Sequence, residues 1–276
     1  MDNSAQEEFW NGAAGDVWVE AQDYMDRMLQ PLSDAAVTKA APTAAERVID
    51  VGCGCGATTL DLARSGATIW GVDISEPMVA HARQRSANQP NITYSVTDAA
   101  TAVYEPNHNL IFSRFGVMFF ADPKAAFTNL RTALVPGGRL TFVCWQAPKE
   151  NTWMSAGARA AAPFLPQTEA MDPRAPGPFA FADKDWIAEI LTDAGFADIN
   201  IESATPDLNV GKDVDEAMYL QGRIGPMARL LAELDEETQA KAKAAARAAL
   251  EPFATSEGVL MRSAGWVVSA EAGQPS

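Results

Sequence analysis

The chain has 276 residues, 47% hydrophobic and 21% charged, so it can bury the core of one large domain. Its formal net charge of -15 and its lack of a basic run argue against nucleic acid as a direct partner, because a polyanion would be repelled. The N-terminus is acidic and polar, so no secretory signal is predicted. No apolar run approaches the roughly 18–20 residues that span a bilayer, so no integral membrane association is predicted. Three cysteines, an odd number, favour a reducing and therefore cytoplasmic setting.

Residues 1–42 predict two helices ahead of the main pattern. Apolar residues of the first helix recur at helical spacing and form one stripe: Trp18, Ala21, Met25, Met28 and Leu29. Ser33 is placed to cap a second, shorter helix, which Pro42 ends. The segment is therefore expected to form a helical extension in front of the core.

Strands and helices alternate between residues 43 and 146. The predicted strands are 47–51, 67–72, 92–96, 109–114 and 139–145, and the predicted helices are 57–65, 76–87 and 123–134. The fourth of these strands is apolar, as expected of a strand covered on both faces. The alternation predicts an α/β fold, a doubly wound and mostly parallel sheet with right-handed crossovers.

The pattern changes after residue 146. Residues 147–182 are rich in Pro, Ala and Phe, and residues 213–253 are mainly helical, so both are interpreted as insertions rather than as a second domain. The remaining core elements are helix 184–194 and strands 197–203 and 259–270, with these two strands expected to pair antiparallel. Residues 1–276 are thus predicted to form a single domain with 43–146 as its core.

The stretch "VIDVGCGCGATT", residues 48–59, carries the most chemical information. A metal site at Cys53 and Cys55 would need further thiolate or imidazole ligands, but the two side chains diverge in a tight turn and the chain has only two histidines. A phosphate loop would need a Lys-Ser/Thr pair after the last glycine, where the sequence has Ala57-Thr58-Thr59. Neither interpretation fits, and no metal site is predicted.

A turn that receives a nucleotide-type ligand fits the same stretch better. Gly52 and Gly54 let the backbone turn sharply and approach a ligand, and the next helix offers free N–H groups. Such sites place an acidic residue for the ribose hydroxyls at the end of the second strand, where Asp73 stands in "WGVDIS". The glycine spacing with Ala57 also satisfies a relaxed dinucleotide fingerprint, so the turn alone leaves dinucleotides and adenosyl ligands open.

Further motifs give the chain a family resemblance. "VIDVGCGCG" and "GVDIS" are followed in order by "TDAA", "NLIFSRFGVMFFADP" and "LVPGGRL". The set resembles class I S-adenosylmethionine-dependent methyltransferases, especially the small-molecule branch similar to the ubiquinone/menaquinone C-methyltransferases. The resemblance covers about residues 5–205 and the final strand. It implies a Rossmann-like sheet with an antiparallel terminal strand, S-adenosyl-L-methionine as cofactor and a small-molecule methyl acceptor.

The resemblance also implies a cofactor role for each matching position. The methionine end is expected against Asp50, Gly52, Cys53 and Gly54, with Thr58 and Thr59 near the helix start. Asp73 is expected to accept hydrogen bonds from both ribose hydroxyls. The adenine is expected against Ile74, Met78, Asp98 and Ala99, and the sulfonium beside Ser113, Arg114 and Phe115. Trp10 and Trp18 are assigned to a lid formed by residues 1–42.

The acceptor is expected to be apolar or aromatic, because aromatic residues follow the fourth and fifth strands, where loops build ligand sites. The candidate pocket residues are Met118, Phe119, Trp145 and Trp153. The insertions 147–182 and 213–253 are expected to shape this side of the site.

Methyl transfer from a sulfonium is an in-line displacement with an activated leaving group, so positioning is expected to be the main catalytic factor. No general base stands out, and both histidines, His81 and His108, are interpreted as surface residues. Two alternatives stay open, an NAD(P)-dependent oxidoreductase and a non-catalytic adenosyl-ligand-binding protein of the same fold. The oligomeric state is not predicted.

Overall fold

The structure, a computed structural model, describes residues 3–166, 172–223, 231 and 234–273. The helices are α1 (Ser4–Asn11), α2 (Ala13–Glu20), α3 (Gln22–Ala40), α4 (Ala57–Ala63), α5 (Glu76–Arg85), α6 (Pro123–Arg131), α7 (Thr152–Ala161), α8 (Lys184–Asp193), α9 (Val214–Gln221) and α10 (Glu236–Leu250). The strands are β1 (Arg47–Val51), β2 (Thr68–Asp73), β3 (Ile92–Val96), β4 (His108–Arg114), β5 (Leu134–Trp145), β6 (Phe196–Ala204), β7 (Asp207–Asn209), β8 (Ala254–Thr255), β9 (Gly258–Arg262) and β10 (Gly265–Ala272). Among the described residues, no helix has the length and apolar character that crossing a bilayer requires.

Seven strands form the main sheet, in the order β3-β2-β1-β4-β5-β10-β6. β10 runs antiparallel to its two neighbours, whereas β1 to β5 pair in parallel. A smaller sheet has the order β7-β9-β8. The predicted α/β fold is confirmed, with the antiparallel last strand inserted between β5 and β6.

The core lies on both faces of the main sheet. β1 is buried after its first residue, and the largest buried side chains of the core include Phe112, Phe127 and Phe142. On α3 the buried apolar residues recur at helical spacing and include Met25, Met28, Leu29, Leu32 and Ala36. This packing fixes the central strands, so the side chains that follow their carboxyl ends are held at one edge of the sheet.

The N-terminal segment forms three helices instead of the two that were predicted. Gly12 has extended backbone between α1 and α2, and α3 continues through Pro31 to Ala40. The expected cap Ser33 lies inside α3, where its hydroxyl donates to the carbonyl oxygen of Leu29 at 3.2 Å. The helix does not end there because the buried stripe of α3 keeps packing on the sheet beyond this point.

Two further predictions were wrong. The single strand predicted at 259–270 is divided into β9 and β10, because the chain changes sheets at Ser263, whose hydroxyl donates to the Pro206 carbonyl at 2.6 Å. His108 is not a surface residue; it belongs to β4, is 5% exposed and stacks on Trp70 with ring centroids 5.9 Å apart.

Parts of the two predicted insertions, residues 167–171, 224–230, 232 and 233, lie outside the described residues.

Candidate cofactor site

The glycine turn between β1 and α4 is built from residues with left-handed backbone. Gly52, Gly54 and Gly56 have φ values of 65°, 53° and 82°. A Cβ on Gly52 would lie 2.8 Å from Cα of Gly116, and one on Gly54 would lie 2.9 Å from Cε of Met78. The turn therefore needs glycine for both conformation and space, as the sequence predicted.

Replacing Gly52 by alanine is expected to lower the free energy of unfolding by about 2–4 kcal/mol, from left-handed strain and backbone overlap together. Gly137 supplies a matched control, because its φ is 77° but nothing lies within 4 Å of the position that a Cβ would take. Gly137→Ala should cost only about 1 kcal/mol. Urea unfolding of both variants measures the difference. Equal losses of unfolding free energy would show that overlap with Gly116 contributes nothing to the cost at Gly52.

Asp50 lies fully buried at the end of β1, below this turn. Its Oδ2 accepts hydrogen bonds from the hydroxyls of Thr58 at 3.1 Å and Thr59 at 2.6 Å. Its Oδ1 is buried without a hydrogen-bond partner among the described residues. Burial raises the pKa of the Asp50 carboxyl to about 6, so it is mostly ionised at neutral pH. An ionised carboxylate with one open oxygen fits a cationic or N–H-bearing ligand group.

Asp73 ends β2 beside the same turn. Its Oδ2 accepts the N–H of Gly54 at 2.8 Å, and its Oδ1 accepts the N–H of Ser75 at 2.9 Å. Burial raises the pKa of this carboxyl. Each oxygen retains acceptor capacity, so Asp73 can shape the turn and still receive a pair of hydroxyls.

Of the residues expected around an adenine, Ile74 and the pair Asp98 and Ala99 follow β2 and β3, and Met78 lies in the first turn of α5. Met78 and Ala99 are buried, whereas Ile74 and Asp98 are half-buried. Asp98 Oδ1 accepts the N–H of Ala100 at 2.9 Å. These positions continue the edge that begins at Asp73.

Helix α1 is tied to this edge by three polar residues whose contacts the sequence did not indicate. Asn3 donates to Asp98 Oδ1 and accepts from the N–H of Ala121, both at 2.8 Å. Asn11 donates to the Ile74 carbonyl and accepts from the N–H of Glu76, both at 2.9 Å. The third, Ser75, donates to the Trp10 carbonyl at 2.8 Å. Isolated polar residues of this kind show no periodicity, so no sequence signal marked them.

Aromatic rings gather where β4 and β5 end. Phe115 has a φ of 59° and stacks on Trp145, with centroids 4.1 Å apart and planes at 9°. Trp145 in turn lies 5.2 Å from Trp153. A second group joins α1 to this edge, since the ring centroid of Trp10 lies 5.3 Å from that of Phe119 and 6.0 Å from that of Trp18. Met118, the remaining candidate of the acceptor side, is 2% exposed.

Ser113 and Arg114 are turned toward the protein. The Ser113 hydroxyl donates to the Val51 carbonyl at 2.7 Å and ties the end of β4 to β1. Arg114 donates to the Ser33 hydroxyl at 3.4 Å, and burial lowers the pKa of its guanidinium. Cys53 and Cys55 are buried free thiols, and burial raises the pKa of Cys55 to about 12, so neither is suited to act as a thiolate.

The strand order, the glycine turn after β1 and the acidic residue closing β2 are those of a Rossmann-like methyltransferase domain. Residues 48–138 match the family described as "Methyltransferase domain". The chain is 30% identical to the demethylmenaquinone methyltransferase of Tropheryma whipplei (strain Twist) over 189 residues, 64% of this chain and 79% of that protein. It therefore belongs to the class I S-adenosylmethionine-dependent methyltransferases, is an enzyme of that class and uses S-adenosylmethionine as cofactor.

One further sequence relative and one solved structure are also similar to this chain, the latter in fold alone. The chain is 30% identical over 118 residues to aklanonic acid methyltransferase DauC of Streptomyces sp. (strain C5), 41% of this chain and 54% of that protein. It shares its fold with phosphoethanolamine N-methyltransferase 2 of Haemonchus contortus, solved with S-adenosyl-L-methionine, at TM-score 0.53 and 20% identity. That match covers 88% of this chain and 52% of the other, so this chain spans about half the length of the Haemonchus protein.

Proposed function

We propose that the chain transfers the methyl group of S-adenosylmethionine to a small apolar or aromatic molecule by in-line displacement. The observation that carries the proposal is the pairing of an open, buried Asp50 oxygen with the free acceptor capacity of Asp73 at one edge of the sheet. Both lie at the edge where the aromatic residues that end β4 and β5 also gather. The cofactor supplies a methyl group already activated on a sulfonium, and the residues of the chain bind and orient the cofactor and the acceptor.

The cofactor positions are assigned along the edge. Asp50, with Gly52, Cys53, Gly54, Thr58 and Thr59 around it, holds the methionine end. Asp73 receives the ribose hydroxyls. Ile74, Met78, Asp98 and Ala99 surround the adenine, while Ser113, Arg114 and Phe115 stand near the reacting atoms. Trp10 and Trp18 belong to the lid.

The acceptor side is assigned to Met118, Phe119, Trp145 and Trp153, with the insertions 147–182 and 213–253 shaping its outer wall. Stacked rings such as Phe115 and Trp145 favour a planar apolar acceptor over a charged one. The relative named for demethylmenaquinone supports an apolar acceptor, whereas the relative named for aklanonic acid has an acceptor that carries an acid group.

Catalysis is assigned to positioning. His108 does not lie at this edge, because it begins β4 at the opposite end of the strand. Aligning an acceptor with the methyl group and excluding water supplies several kcal/mol, which suits an activated leaving group. An acceptor that is already nucleophilic at neutral pH needs no general base.

The test is transfer from a methyl-labelled donor to paired acceptors, for example a neutral hydroxylated polycyclic aromatic and the same ring system with a sulfonate. We expect labelled product, detected by mass spectrometry, from the neutral member of each pair. Methyl transfer only to the charged member of each pair would contradict the proposal of an apolar acceptor. Binding of the donor with no product from any acceptor would favour a non-catalytic adenosyl-binding protein, and binding of NAD(P) instead of the donor would favour the oxidoreductase.

A further inference from the structure

A cavity of about 310 Å³, the amino-end cavity, opens where β1, β2 and β4 begin. The first residues of these strands, Arg47, Thr68 and His108, all line it. The cofactor residues follow the opposite ends of the strands, and the rise of about 3.3 Å per residue along β1 separates Arg47 from Val51 by about 13 Å. The cavity therefore lies apart from the cofactor site, and its volume is within the range of small-molecule sites.

The amino-end cavity is present because a loop replaces a helix above the sheet. Connections between parallel strands usually carry a helix that covers one face, as α4, α5 and α6 do in this sheet. The connection between β3 and β4, which the structure describes throughout residues 97–107, contains no helix. Val103 and Asn107 of this loop line the cavity together with Trp70 of β2 and Thr93 of β3. Val103 is 94% exposed, so the loop leaves the cavity open to solvent.

Trp70 gives the amino-end cavity an aromatic surface that is held in place. The centroid of its ring lies 5.9 Å from that of His108, with planes at 29°, and 6.0 Å from that of Tyr104, with planes at 68°. Its Nε1 donates to the Ser95 hydroxyl at 2.9 Å. These contacts fix the indole and still leave it half-buried, so a planar ring can stack on its open part.

The side chains around this ring can donate hydrogen bonds that no described residue receives. Four of them line the cavity and hydrogen-bond through their side chains to no other described residue: Arg47, Thr68, Thr93 and Asn107. Burial, and then the charge of Arg47, lower the pKa of His108, so this imidazole is neutral at pH 7 and the positive charge of the cavity comes from Arg47. A guanidinium flanked by hydroxyl and amide donors complements a carboxylate.

Glu105 is the opposing charge, since it also lines the cavity. It is exposed and lies in the loop, two residues from Val103. No ion pair joins its carboxylate to Arg47 within the part of the chain that the structure describes, so the guanidinium is not neutralised by the protein itself. Solvent screens an exposed charge of this kind, and we expect Glu105 to weaken the binding of an anion only slightly.

We propose that the amino-end cavity is a second ligand site, which binds a small planar aromatic carboxylate. The ring of the ligand stacks on Trp70, and its carboxylate pairs with Arg47. The hydroxyls of Thr68 and Thr93 donate to the remaining carboxylate lone pairs. The inference goes beyond the proposed function, because this ligand occupies neither the methyl-donor site nor the acceptor side.

Calorimetry with three probes tests the ligand class. The probes are 2-naphthoate, the neutral 2-naphthamide and the saturated decahydro-2-naphthoate. We expect 2-naphthoate to bind about three- to fivefold more tightly than the amide, the effect of one exposed ion pair, and at least about threefold more tightly than the saturated acid. Saturating S-adenosylhomocysteine should leave these affinities unchanged, because its site lies at the other edge of the sheet.

Three variants test the residues. Arg47→Met should reduce the affinity for 2-naphthoate to that for 2-naphthamide and leave the amide unchanged. Glu105→Gln should raise the affinity for 2-naphthoate by up to about twofold. Arg64→Met is the matched control, because this exposed arginine directly follows α4 and does not line the cavity. It should change none of the affinities.

The indole N–H resonance of Trp70 locates the bound probe in the wild-type protein. The resonance is assigned by its loss in Trp70→Phe, and 2-naphthoate should shift it in an ¹H–¹⁵N correlation spectrum. A shift confined to other tryptophans would place the probe on the acceptor side and overturn the inference. Unchanged preference for 2-naphthoate in Arg47→Met, or no binding at millimolar concentration, would also overturn it. Each of these results leaves the proposed function standing.

Discussion

Asp73→Ala is expected to weaken binding of S-adenosylhomocysteine by about 1.5–3 kcal/mol, roughly 10- to 150-fold. The carboxylate already accepts the N–H groups of Gly54 and Ser75 and has lone pairs left on both oxygens. In the proposed site those lone pairs accept from two ribose hydroxyls, and a hydrogen bond to an ionised acceptor is stronger than one between neutral groups. Isothermal titration calorimetry measures the loss.

A ligand pair separates this contact from the effect of Asp73 on the turn. Removal of the carboxylate also frees two backbone N–H groups, so part of the loss could come from a changed loop. The same titration with a 2′,3′-dideoxy form of the ligand serves as the control. The loss should be much smaller for that ligand, and an equal loss for both would mean that Asp73 acts on the loop alone.

Asp50→Asn is expected to raise the free energy of unfolding at pH 7 by about 1–3 kcal/mol while weakening S-adenosylhomocysteine binding at least tenfold. Burial raises the pKa of this carboxyl from 3.8 to about 6, so between these values the folded protein holds a proton that the unfolded chain releases. Ionisation of Asp50 in the folded protein therefore lowers the free energy of unfolding. This loss develops as pH rises from about 4 to 6 and persists at higher pH. An amide avoids the cost, and its oxygen can still accept from Thr58 and Thr59.

Urea unfolding from pH 4 to pH 8 checks this prediction. The stability advantage of Asp50→Asn should be small near pH 4 and reach its full size above pH 6. Asp34→Asn on the exposed face of α3 is the control, expected to change neither stability nor binding. A constant advantage across the range would show that ionisation of Asp50 is not its source.

The core sheet could be predicted because its signals are local. Buried strands such as β4 are apolar runs, and Gly and Pro separate them from the helices, so predicted bounds for β1 and β3 agree with the structure to the residue. The glycine turn and Asp73 were predictable for the same reason, since they follow two neighbouring strands at a fixed interval.

What the sequence could not indicate depends on contacts between distant segments. Ser33 has the residue type of a helix cap, but the buried stripe around it decides that α3 continues. The division between β9 and β10 depends on Pro206, 57 residues from Ser263. In the sequence, Gln22 is an ordinary polar residue at the start of a helix. Only the fold shows that its side chain is buried and that its Oε1 has no hydrogen-bond partner among the described residues.

The attachment of α1 has a consequence for the catalytic cycle. Four side-chain hydrogen bonds, from Asn3 and Asn11, fasten this helix over the loops that follow β2, β3 and β4. If the spent nucleoside leaves past Ile74 and Asp98, those bonds must break once per turnover. The opening of this helix would then be a step of every turnover, separate from the chemical step.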